Sequence, residues 1–225
     1  MSTTPQAYLP DENSFYDDLV TLFVSLSSYM YTMHVSIASN KPVEFRDRPL
    51  AEWISYIAPL RVLEWPLALH RNADGMDFVV YPANLLMSMS LGVRPQYIEY
   101  SVRLAGSATP GFKLYSAENR SVILGILRSA YVSYYSDCED ALKSRYGTNT
   151  NAWPDAFLFA WAVRNALAHT AGGKLKLNDK SLRSFTWKRW TFGPADNGRE
   201  IILTPDGLAI GDIVLLIEEI NRLIK

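Results

Sequence analysis

Cysteine and histidine are nearly absent from this chain of 225 residues. The single Cys138 excludes an intramolecular disulfide framework, and the three histidines, His34, His70 and His169, have no Cys or His neighbour at metal-ligand spacing. A reducing compartment is expected, with no metal and no other cofactor. An excess of one charge is missing too. With 22 Lys and Arg against 23 Asp and Glu, the formal net charge is −1, and no whole-molecule field draws in nucleic acid or an anionic membrane. No glycine-rich phosphate loop, nucleophile elbow or dinucleotide fingerprint occurs. The opening MSTTPQAYLPDENSFYDD lacks the basic start and apolar run of a signal peptide, which predicts a cytoplasmic protein.

What is present is apolar material in helical spacing. Hydrophobic side chains make up 48% of the chain, enough for a substantial core. Residues 19–40 carry no formal charge, but Thr21, Ser25, Ser28, Thr32, Ser36 and Ser39 recur every three or four residues opposite Leu22, Phe23, Leu26, Met30, Met33 and Ile37. That hydroxyl stripe has no reason to face lipid, so the segment reads as an amphipathic helix ending near Ser39, and no membrane partner is expected. A short helix is expected from Pro49 through Trp53 and Tyr56. Prolines at 59, 66, 82, 95 and 110 then permit only short helices, Pro95–Leu104 being the best, before a loop over Ser107–Gly111.

The second half is plainer. Ser116 or Asn119 caps a long helix ending near Tyr146, Pro154 opens another that runs to Gly172 and Gly173, and a last helix covers about Ile210 to Ile224. Between them SFTWKRWTF alternates and precedes PADNG and EIIL, which reads as a β-hairpin turning at Asp196, Asn197 and Gly198. The expected architecture is a single mainly α domain over 1–225, a helical bundle with an irregular insertion of short helices at 41–111 and an appended β-hairpin at 183–203.

Arg164, Asn165 and His169 stand out as polar residues in an otherwise apolar helix. Asn165 and His169, four apart, share a face; Arg164 and His169 are separated by about 140° on an ideal helix, so Arg164 must reach along the helix to meet the imidazole. The plain alternative is that both serve the last carbonyls and the negative end of the helix dipole. The string RNALAH (Arg164–His169) resembles the R-[polar]-x-x-x-H motif of HEPN domains, small helical bundles that include RNA-cleaving toxins and antiviral effectors. The likeness covers roughly 116–225, with the first helix as a further bundle member, and leaves 41–111 unmatched.

The resemblance implies a metal-independent endoribonuclease of the toxin or phage-defence type, cutting single-stranded RNA to 2′,3′-cyclic phosphate and 5′-hydroxyl ends. Its catalytic residues are Arg164, Asn165 and His169, its partner is RNA, and two copies pair their motif helices as a homodimer. An antitoxin or regulatory protein is a further implied partner. In one branch the motif continues H-x-Y, the tyrosine being modified by a nucleotidyltransferase antitoxin; here Thr170 and Ala171 follow His169, so that pairing is not implied. The alternative of another class is a non-catalytic HEPN-like module that binds protein or RNA.

Between Lys174 and Arg199 seven bases stand against two acids. Lys174, Lys176, Lys188 and Arg189, interleaved with Trp187 and Trp190, are candidate substrate-binding residues, since single-stranded RNA takes charge for its phosphates and ring faces for its bases. The same aromatic rings in a hairpin can instead cover a helix. Asp137, Glu139 and Asp140 point different ways on a helix, and Glu139 pairs naturally with Lys143.

Overall fold

The computed structural model describes residues 6–8, 15–39 (side chains through 30), 66–105, 120–170, 172–177 and 182–224. The amphipathic run forms helix α1 (Tyr16–Ser39). Leu19, Leu22, Phe23, Leu26 and Met30 are buried, while Thr21 and Ser28 face solvent, as the hydroxyl stripe requires. The helix expected at Pro49 and the loop at Ser107–Gly111 lie outside the described residues, as do the side chain of His34 and the connector between them.

The expectation of a mainly α bundle is overturned by the segment 66–105. In place of short helices it forms β2 (Leu67–Arg71), β3 (Met76–Val80), the helix α2 (Ala83–Ser90) and β4 (Ile98–Leu104). With β1 (Gln6–Tyr8) these strands make an antiparallel sheet ordered β1-β4-β3-β2. The protein is therefore mixed α/β, and neither "all-α" nor "helical bundle" describes it. The physical reason is period. Ile98, Tyr100, Val102 and Leu104 alternate strictly, and β-branched and aromatic residues fill a pleated face better than a helix. Leu67 and Leu69, Phe78 and Val80, and Ile98 supply the buried face. On it Tyr8 stacks on Tyr100 at 4.3 Å, Phe78 on Tyr100 at 4.8 Å, and Phe23 of α1 on Phe78 at 5.9 Å. Such ring pairs contribute about 0.5–1.5 kcal/mol each beyond their burial.

Two long helices follow, α3 (Arg120–Tyr146) and α4 (Asp155–His169), with α5 (Ile210–Ile224) last. Buried residues occur on every side of α4, from Phe157 to Leu167, which makes it the central helix. Tyr131 of α3 donates its hydroxyl to Ala160 O at 3.2 Å, and Tyr134 donates to Ile217 O at 3.1 Å, so α3 is tied to both α4 and α5. The N-terminus of α5 is locked onto the sheet by a fully buried carboxylate. Asp212 accepts from the backbone N–H groups of Asn72, Ala73 and Ala209 at 2.8–2.9 Å. Gly211 permits the approach, because a Cβ there would lie 2.6 Å from the carbonyl oxygens of Leu69 and His70.

The hairpin exists but turns elsewhere. β5 (Phe185–Trp187) and β6 (Trp190–Phe192) pair across Lys188 and Arg189, Lys188 taking φ 51°. The expected turn at PADNG is instead a short 3-10 segment, Pro194–Asp196, and Ile202 bridges to Leu208 rather than to the aromatic strands. Among the described residues no helix is long and apolar enough to cross a membrane.

Candidate active site

Helix α4 starts directly after Pro154, whose fixed φ suits a helix entrance. Asp155 in its first turn accepts from Thr186 N at 2.7 Å and pairs with Arg183 at 2.5 Å, which anchors the hairpin to this end. The apolar centre is then consumed by packing, and the polar side chains come only in the last turns. Asn165 is 7% exposed, Arg164 is half-buried and His169 faces solvent.

The long Arg164 side chain spans the angular gap that the sequence posed. Its Nη1 donates to Asn165 Oδ1 at 3.1 Å and reaches His169 Nε2 at 3.2 Å. A guanidinium has donors only, so this contact is made to the lone pair of Nε2. The three motif residues are thus one cluster at the open end of a buried helix, assembled within a single chain.

Carbonyl capping does not explain the cluster. Two of the last carbonyls of α4, and the one just beyond it, are served by other residues: Arg128 of α3 donates Nε to Leu167 O at 2.6 Å and Nη2 to Thr170 O at 3.1 Å. Thr170 donates its hydroxyl to Ala166 O at 2.7 Å and in turn accepts from Lys174 N at 2.7 Å. Gly173, at φ 64°, lets the chain turn tightly beneath Ile202, whose Cβ would stand 3.0 Å from an added one.

The candidate substrate-binding residues separate into two groups. Lys174 and Lys176 follow α4 directly. Lys174 is exposed and pairs with Glu200 at 3.8 Å, which also draws Arg120 to 3.3 Å; Lys176 is half-buried. Trp187, Lys188, Arg189 and Trp190 sit at the other end. Their hairpin covers Phe159, with Trp187 at 5.1 Å and Phe192 at 5.2 Å from its ring, and ten residues of helix place His169 about 15 Å further along the axis. Both tryptophans belong to the core. Trp187 is 3% and Trp190 5% exposed, and their indole N–H groups donate to Glu219 Oε2 and Asp206 O. Lys188 pairs with Glu219 at 3.0 Å and Arg189 donates to Asn72 O at 3.2 Å. Interleaved cations and rings here bind the hairpin to α4, to α5 and to the turns at Asn72 and Asp206, the plainer of the two readings.

Arg128 and Arg120 are the cations that sequence reasoning missed at this end of α4. Nothing local marks them, since each meets partners more than 30 residues away. Burial pushes the Cys138 thiol up to about 11, leaving it protonated and poorly nucleophilic. His70 lies on the sheet, bonded through Nδ1 to Asp77 at 2.8 Å. Among the described residues no three His, Cys, Asp or Glu side chains come together in a set that could hold a metal ion. No family model, curated protein or solved structure matches the chain.

Proposed function

We propose that the protein cleaves RNA without a metal ion, using His169 for proton transfer and Arg164 for charge stabilisation. The observation that carries this reading is the 3.2 Å contact of Arg164 Nη1 with His169 Nε2 on an exposed helix end where Arg128 and Thr170, not this pair, bond Leu167 O and Ala166 O. Neither side chain is hydrogen-bonded to a helix carbonyl there.

The chemistry follows from what each group can do. The imidazole accepts the proton of a ribose 2′-hydroxyl, whose oxygen then attacks the adjacent phosphorus and closes a five-membered ring. The dianionic phosphorane gathers charge on its non-bridging oxygens, and a guanidinium meets them with paired N–H donors. Departure of the 5′-oxygen requires a proton from the opposite side of phosphorus. One chain brings one His169, so a second copy facing the first supplies the second imidazole as acid. Asn165 fixes the guanidinium by accepting from it. The resemblance of RNALAH to the HEPN motif supports the same assignment.

Purified protein incubated with single-stranded RNA in EDTA tests the proposal. Products with 2′,3′-cyclic phosphate and 5′-hydroxyl ends, lost in His169→Ala and Arg164→Ala, are expected. Absence of cleavage, or cleavage unchanged in both variants, overturns it.

A further inference from the structure

At rest, Arg164 Nη1 occupies the Nε2 lone pair of His169, and that is the lone pair the imidazole must offer to a 2′-hydroxyl. Resting on the RNA-cleavage reading, this means that the guanidinium has to leave the imidazole when substrate arrives. It then needs a second anchor, at the stage when its orientation matters most.

An unused acceptor stands on α3, the helix that packs along α4 with Tyr131 at Ala160 and Arg128 at Leu167. Arg164 Nε is buried and makes no hydrogen bond within the protein, and the Tyr135 hydroxyl on α3 is equally buried and equally without a partner. Tyr135 is 0% exposed. Its two neighbours on the same helix are different: Tyr131 and Tyr134 both donate to backbone carbonyls. Native interiors leave few polar atoms unsatisfied, and each such atom calls for an explanation. The Tyr135 hydroxyl also lies within the field of Arg164. Burial and the Glu139 carboxylate push its pKa up, and the guanidinium pulls the other way.

We propose that Tyr135 is the positioning residue for Arg164: when a phosphodiester binds, the guanidinium releases His169 and donates its Nε–H to the Tyr135 oxygen. With Asn165 still accepting from Nη1, that bond fixes the plane of the guanidinium, leaving the remaining Nη hydrogens for the phosphate and the Nε2 lone pair for the 2′-hydroxyl. No bond to substrate is made by Tyr135 itself, so its effect falls on the reacting state rather than on substrate affinity.

Tyr135→Phe removes one oxygen from a place where it bonds nothing at rest. The variant is expected to keep the thermal midpoint of the wild type, to lose about tenfold in kcat for RNA cleavage and to keep KM. The second readout is independent of cleavage. On adding a 2′-deoxy oligonucleotide, which carries the phosphates but not the nucleophile, the Arg164 Nε–H proton resonance of the wild type moves downfield, and that of Tyr135→Phe does not. Unchanged kcat in Tyr135→Phe, a fall in thermal midpoint, or an Nε–H response that is equal or absent in both proteins overturns the proposal. If wild-type protein fails to cut RNA, the functional reading fails by that assay, while the Nε–H comparison still decides the role of Tyr135.

Discussion

Removing the Arg128 guanidinium should loosen the turn that carries His169. Arg128 makes two charged hydrogen bonds to the end of α4, at 2.6 Å to Leu167 O and 3.1 Å to Thr170 O. In a dry site each such bond would contribute about 1.5–3 kcal/mol. The Arg128 side chain is exposed, so water replaces much of what is lost and the pair is reduced to about 1 kcal/mol. Opposing the negative end of the helix dipole adds about 0.5 kcal/mol. Arginine and alanine differ little in helix propensity, so position 128 in the middle of α3 adds no large term of its own. Arg128→Ala is therefore expected to cost about 1.5 kcal/mol, which lowers the thermal midpoint of a chain this size by about 5 °C. Arg128→Lys, with one compact donor group, should recover about half of that. Differential scanning calorimetry, with Ser129→Ala on the exposed face of the same helix as control, measures the effect. Hydrogen exchange should place the added opening at the end of α4. A variant that melts with the control, or whose faster exchange is spread evenly over α3 and α4, would refute the capping argument.

Two further outcomes follow from buried or close-packed groups. Burial, reinforced by Asp137 and Asp17, raises the Asp18 carboxyl from 3.8 to about 6. The folded state thus holds this proton more tightly than the unfolded chain, and ionisation costs stability as pH rises from about 4 to about 6. Asp18→Asn should gain about 1 kcal/mol at pH 8, the full shift being discounted because the carboxylate is half-exposed, and nothing at pH 4; an equal gain at both in urea titrations contradicts the assignment. Gly211→Ala places a Cβ 2.6 Å from two β2 carbonyl oxygens; overpacking of about 3 kcal/mol, less the helix gain of about 1 kcal/mol, should leave it about 2 kcal/mol less stable by the same titration.

The helices were legible because their apolar residues repeat at the helical period over many turns. The Leu22, Phe23, Leu26 and Met30 stripe predicts α1, and Pro154 marks the entrance of α4. The sheet was not legible for two physical reasons. Prolines 66, 82 and 95 suggest short helices, yet each here lies just outside an element rather than within one. β1 offers three residues, too few for any period, and its register with Tyr100, Glu99 and Ile98 of β4 is a long-range choice made by the Tyr8 stacking face. The hairpin hid its turn because Lys188 adopts a left-handed conformation usually left to glycine or asparagine. At the site, the Arg164 and His169 pairing could be posed from spacing, and the reach of a long side chain closes it. Arg128 acts through a tertiary neighbour, the end of α4, which no local pattern marks, and the aromatic residues that looked free for bases turned out to be the cover of Phe159.

The central claim is that the Arg164 and His169 pair performs chemistry on RNA. A 5′-labelled single-stranded RNA, incubated with the protein in EDTA and resolved by length and end group, tests it most directly, with Arg164→Ala, His169→Ala and a mixture of the two in parallel. The account predicts cyclic-phosphate products from the wild type and a loss of about 10²–10⁴-fold in each single variant, the range that positioned acid–base groups supply. Intact RNA with the wild type, or cleavage that survives both substitutions, contradicts it.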